Sequence, residues 1–199
     1  MSWVRSFQGW TRVGLLLAVV LVAGCASSPK TDPADVAEAE RQAREAELTQ
    51  DFSEAVALLR GGDTDNARNL FEQIHQADPE RTGPLANLGI IALQEGNPEA
   101  AEGYFQQVLE RDPQHSAALT HLGVMAREQG EFEHAETLYR QALEADPNHL
   151  PAMLNLAILL DIYLGRLEEA LPLYEQYQSL AEEPNPRLKD WIFDVRNRL

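Results

Sequence analysis

A spacing of 34 residues recurs along most of this chain and constrains its fold more than any other feature. Glycine returns at Gly62, Gly96 and Gly130, and again at Gly165 after one inserted residue; alanine follows at Ala67, Ala101, Ala135 and Ala170. An aromatic recurs at Phe71, Phe105, Tyr139 and Tyr174, and Asp-Pro at Asp78-Pro79, Asp112-Pro113 and Asp146-Pro147. Leu88-Gly89, Leu122-Gly123 and Leu156-Ala157 keep the same register. Self-similarity at such a period marks stacked supersecondary units, each too small to bury its apolar face alone.

Each row reads as a pair of helices. Leu85, Leu88, Gly89 and Ala92 share one face of a first helix, and Ala101, Phe105 and Val108 share one face of a second. Gly96 supplies the left-handed residue that ends the first helix, and Pro113 with its restricted neighbour Asp112 ends the second. A small residue at Gly89 or Gly123 lets the paired helices approach closely, so the aromatic at Phe105 or Tyr139 fills the hollow beside it.

With these residues in view, the rows resemble the tetratricopeptide repeat. Its signature positions are matched by Leu85, Leu88, Gly89, Ala92, Ala101, Phe105, Val108 and Pro113, and again by Leu119, Leu122, Gly123, Ala126, Ala135, Tyr139, Ala142 and Pro147. In the next row Met153, Leu156, Ala157 and Leu160 fit the first helix, one extra residue sits within Asp161–Gly165, and the closing proline is displaced to Pro184 or Pro186. The earliest row keeps Ala67, Phe71, Ile74 and Pro79 but places Asp51 and Glu54 where apolar residues belong. The expected rows are a degenerate repeat over 48–81, repeats over 82–115 and 116–149, and a repeat with the insertion over 150–184. Leu188, Trp191, Ile192, Val195 and Leu199 recur at helical spacing, with Pro186 at the start, so 185–199 is read as a helix capping the last hairpin. Its Arg187, Lys189, Arg196 and Arg198 leave a contact to lipids or a partner open.

The resemblance implies an all-α, right-handed superhelix of helix-turn-helix units whose first helices line a concave groove. Carried onto this chain, the groove positions are Ala86, Asn87, Ile90, Leu93 and Gln94; Thr120, His121, Val124, Arg127 and Glu128; and Leu154, Asn155, Ile158 and Asp161. Asn87 and Asn155 weigh most, because an amide offers donors and an acceptor to the backbone of an extended ligand. Phe52, Val56 and Leu59 extend the apolar stripe, covered either by a ligand or by the 34–47 segment. The family's carboxylate clamp needs several lysines and asparagines, whereas this groove holds Arg127 and two asparagines. Recognition of an acidic C-terminus is therefore disfavoured, and a loop or helix of an envelope protein fits better.

The N-terminus addresses location. Residues 1–12 carry Arg5 and Arg12 and no acid, and Val13–Ala23 is an apolar run of eleven. A membrane-spanning helix needs roughly 20 apolar residues, so 1–24 has the proportions of a secretory signal. Val22-Ala23-Gly24-Cys25 resembles the bacterial lipobox, which implies that Cys25 is lipidated and begins the mature chain. Two or more acyl chains anchor stably where one does not. By the sorting rule of enteric lipoproteins, Ala26 implies the outer membrane, periplasmic face. Residues 25–33 are read as a tether and 34–47, rich in Ala, Glu and Arg, as a polar helix or a disordered extension.

The formal charge is −16, and removal of residues 1–24 leaves 14 basic against 32 acidic residues. Such a surface repels polyanions, which argues against nucleic acid. One cysteine excludes an internal disulfide. His75, His115, His121, His134 and His149 show no ready-made ligand spacing, and no nucleophile elbow, zinc-protease motif, phosphate loop or dinucleotide turn is present. The expectation is a non-enzymatic protein without cofactor or metal, presenting its groove to a periplasmic or membrane protein client. Lipid-anchored proteins of similar build serve pilus assembly, which favours pilus or secretion assembly. The alternatives are an adaptor for peptidoglycan hydrolases or proteases, a complex of the ExbB–ExbD–TonB type, or a self-associating spacer.

Overall fold

The computed structural model describes residues 32–183 and 186–199. The signal segment, Cys25, most of the tether and Pro184 lie outside the described residues. Gln42–Leu199 forms one compact unit, and of the preceding unit, Met1–Arg41, the described part is helical from Pro33 onward. Among the described residues there are nine α-helices and no strand: α1 Pro33–Arg60, α2 Thr64–Ala77, α3 Thr82–Gln94, α4 Pro98–Arg111, α5 Ser116–Glu128, α6 Phe132–Ala145, α7 Leu150–Ile158, α8 Leu167–Leu180 and α9 Leu188–Arg198. None of these is long and apolar enough to cross a membrane.

Two expected boundaries move. Pro33, placed at the end of the tether, is the first residue of α1, where its missing N–H is harmless. Residues 34–47 are helical and form the leading half of α1.

The hairpins α1/α2, α3/α4, α5/α6 and α7/α8 turn at glycine. At the α3/α4 turn, Gly96 has φ +73° and the N–H of Asn97 reaches back to Ala92 O at 2.9 Å. That geometry needs the left-handed region, which costs glycine nothing. The Asn97 side chain then accepts from the N–H of Ala100 at 3.2 Å, and Pro98 opens α4.

Within each hairpin the aromatic of the second helix is sealed: Phe71, Phe105, Tyr139 and Tyr174 are all at most 1% exposed. A side chain of this size contributes roughly 2–3 kcal/mol by burial. Its seat is the small residue of the first helix. A Cβ built on Gly89 would lie 2.7 Å from the Phe105 ring, and one built on Gly123 would lie 2.6 Å from Tyr139. In the flanking rows Ala55 and Ala157 occupy this register, each fully buried.

The inserted residue of the last row is absorbed by a single π turn at Leu159–Tyr163, in which the N–H of Leu164 reaches Leu159 O at 3.1 Å. The turn keeps Leu159 and Leu160 in the core and turns Ile162 out to solvent, 65% exposed.

Helix α9 covers α8 with Leu188, Ile192 and Val195, all buried, while Trp191 packs against the Tyr174 ring, 6.3 Å between centroids. Two details of the expected cap change. Leu199 is 56% exposed and takes no part in the covering face, and Pro186 precedes the helix by two residues because Arg187 occupies the capping position.

Candidate functional site: the inner face

The first helices of the hairpins are the C-terminal half of α1 followed by α3, α5 and α7, the helices to which the resemblance assigns the inner face, and α5 packs directly on α7. Along it Val56, Ile90, Val124 and Ile158 recur at one residue per repeat, all half-buried. Phe52 does not extend this ladder: its ring meets Phe71 edge-on at 5.6 Å and lies 3.0 Å from a Cβ built on Gly83, so it belongs to the core between the first two rows.

Polar positions flank the ladder. The Asn87 amide donates to Gly83 O at 2.9 Å and Asn155 to Pro151 O at 2.8 Å, each within its own helix. These back-bonds orient both side chains and leave the amide oxygens as acceptors. Gln94 is exposed. Thr120, expected in the groove, is 5% exposed, and its hydroxyl donates to Ser116 O at 2.7 Å, so it is withdrawn from the inner face.

His121 stands in register with the two asparagines but lies flat on Phe105, 4.9 Å between ring centroids at 4°. Burial, then the nearby His149 and His115, hold its pKa below the ordinary histidine value. His149 is also lowered, by burial first, with Asp146 opposing and His115 adding to the shift. The fold therefore prefers both rings neutral. As pH falls below about 6.5 the unfolded chain takes up these protons first, and stability drops until the folded rings protonate too. The urea midpoint is expected to fall between pH 7.5 and pH 5, with a shallower fall in His121→Asn; an identical slope in that variant would refute the assignment. Among the described residues no three His, Cys, Asp or Glu side chains gather as a metal-binding set.

Two residues at the last position of the row separate sharply. Arg127 donates through Nη1 to the Tyr163 hydroxyl at 3.1 Å, and its guanidinium lies 5.7 Å from the centroid of that ring. Tyr163 in turn packs against Phe132 at 4.9 Å. Asp161, expected in the groove, is instead 5% exposed: Arg198 of α9 donates to it at 2.8 Å and the Tyr174 hydroxyl at 3.4 Å. Burial and the Asp161 carboxylate push the Tyr174 hydroxyl far above its usual pKa, so it remains a proton donor. Ile158, Ile162, Tyr174 and Trp191, together with Asp161, Asp194 and Arg198, line an open cavity of about 180 Å³.

The basic residues of α9 are thereby accounted for in part. Arg198 holds Asp161 and Asp194, and Arg196 holds Glu175 at 2.6 Å. Tyr163 was not identifiable as a site residue from the repeat pattern, nor was the pairing of Asp161 with Arg198; for Tyr163 the inserted residue was the one signal.

The sequence profile of the tetratricopeptide repeat matches residues 86–149 and 126–184, and a second profile of the same repeat matches residues 52–80. No match is found among curated proteins. Among solved structures, PilF of Pseudomonas aeruginosa aligns with a TM-score of 0.68 at 18% identity, over 78% of this chain and 70% of its own. MamA aligns at 0.55 and 19% identity, over 75% of this chain and 82% of its own. The O-GlcNAc transferase of Thermobaculum terrenum aligns at 0.59 and 22% identity, over 67% of this chain but 26% of its own. At these identities the likeness is one of fold.

Proposed function

Because the chain belongs to the tetratricopeptide-repeat family, we propose that it is a non-enzymatic, lipid-anchored scaffold that receives a protein client along its inner face and assists an envelope assembly, pilus or secretion assembly first. The observation that carries this reading is the ladder of Val56, Ile90, Val124 and Ile158, an apolar line that the chain's own helices leave half-covered. Half-covered aliphatic residues aligned at repeat spacing suit a partner's apolar side chains, and the amide oxygens of Asn87 and Asn155 suit its N–H groups. The lipid anchor rests on Val22–Cys25 following an apolar run, and the outer-membrane address on Ala26.

Affinity isolation from cells of the source organism tests the client. The Val124→Asp/Ile158→Asp variant, at unchanged helical content and Tm, is expected to lose a protein that the wild-type chain retains; equal recovery would contradict the reading. Cys25→Ala tests the anchor: the wild type is expected in the membrane fraction with an acylated sulfur, and the variant in the soluble fraction.

A self-associating spacer has one observation in its favour, Phe193 standing 67% exposed on the outer side of α9. A concentration-independent monomer in sedimentation would remove it.

A further inference from the structure

The charge of this chain makes one arginine anomalous. Acids outnumber bases 32 to 16, and among the described residues the half-buried arginines have partners that account for them. Arg68 pairs with Glu95, Arg81 with Glu45 and Asp78, and Arg166 with Glu136 and Glu169. Arg111 is held by two carbonyls, Pro79 O at 2.9 Å and Gln107 O at 2.6 Å. Arg127, on the inner face beside Val124, faces tyrosines instead: Tyr163 through Nη1 and through its ring, and the buried Tyr139. Its Nε and the Tyr139 hydroxyl are both buried with no partner in full hydrogen-bond geometry, although the phenol lies near enough to interact with the guanidinium.

A half-buried guanidinium loses hydration, and a protein this acidic had many ways to neutralise it. Tyr163 does something different. It fixes the fork by one hydrogen bond and one ring face while adding no negative charge, and it occupies one proton of Nη1. Nη1 and Nη2 form the end of the fork, the edge through which a guanidinium receives a carboxylate by two parallel hydrogen bonds. The bracing residue comes from the π turn at Leu159–Tyr163, so the inserted residue of the last row supplies the side chain that holds Arg127 in place.

Building on the proposed client-binding face, we infer that Arg127 is an anion-recognition point that takes one carboxylate of the client, with the flanking client residues apolar against Val124 and Ile158. A polyanionic segment is excluded by the −16 charge of the chain, which repels it at long range. This is a single braced arginine, distinct from a clamp built of several lysines. The carboxylate is a side chain or a chain terminus; the chemistry at Arg127 is the same for both.

Three pools of random nonapeptides drawn from Leu, Val, Phe, Ala, Ser and Gln separate the cases on the full-length chain. One pool is amidated without acid, one is amidated with a single internal Glu, and one has a free C-terminus without internal acid. The tightest binders are expected in one of the two carboxylate pools, and which of them identifies the source. Arg127→Gln is expected to weaken those binders about ten-fold or more while leaving acid-free peptides unaffected. Arg127→Lys, keeping charge without the fork, is expected to fall between. Tyr163→Phe, which removes the brace and keeps the ring, is expected to weaken carboxylate peptides alone. Tightest binding by acid-free peptides, or carboxylate binders indifferent to Arg127→Gln, would overturn the inference while Ile158→Asp sensitivity kept the client face standing. Binding by no pool, or binding indifferent to Ile158→Asp, would overturn both.

Discussion

Gly123→Val is expected to destabilise the chain by about 3 kcal/mol or more. The argument is steric and local. A Cβ at this position lies 2.6, 2.8 and 3.1 Å from three atoms of the Tyr139 ring, closer than carbon atoms pack. Tyr139 is fully buried and has no open side to move toward. Valine adds two further methyl groups, so α5 and α6 must separate, and the seams to α4 and α7 open with them. Helix propensity works the other way by about 1 kcal/mol, since glycine is a poor helix former, and the overlap outweighs it. Gly103 provides the control: it sits inside α4 with nothing within 4 Å of a built Cβ. Gly103→Ala is expected to stabilise by about 0.5–1 kcal/mol. Urea unfolding of the two variants reads both effects, and a neutral Gly123→Val would mean that the hairpin is not held by this contact.

Removal of residues 186–199 is expected to have the second large effect. It strips Leu188, Ile192 and Val195 from the last hairpin and bares Tyr174, against which Trp191 packs. Each of the three side chains contributes roughly 1.5–3 kcal/mol by burial. The truncation also removes Arg198, the cationic partner of Asp161. A Tm lower by roughly 10 °C, with dye binding and self-association through the bared surface, is the expected result. An unchanged Tm and a monomeric truncated chain would show that α9 does not act as a cap.

The repeat made the helical hairpins legible before any coordinates. Gly96, Phe105 and Gly89 each do one job that few residues can do, and the same jobs recur in the neighbouring rows. Exposure along the first helices was legible at Asn87, Ile90, Val124, Asn155 and Ile158, which are half-buried at repeat spacing. It was not legible at Thr120, whose hydroxyl folds back on its own helix, nor at Asp161, whose partner Arg198 stands 37 residues away. The Arg127–Tyr163 bond spans 36 residues and depends on how one inserted residue is absorbed. A sequence period shows that an insertion exists, but the choice of a π turn over a longer loop is made by the packing of Leu159 and Leu160.

Site-specific photocrosslinking in living cells tests the central claim most directly. A photoreactive residue at Val124 on the inner face, compared with one at the exposed Gln141 on α6, is expected to yield a discrete adduct to one envelope protein from Val124 and none from Gln141. Equal adducts from both positions, or an adduct from Gln141 alone, would contradict it.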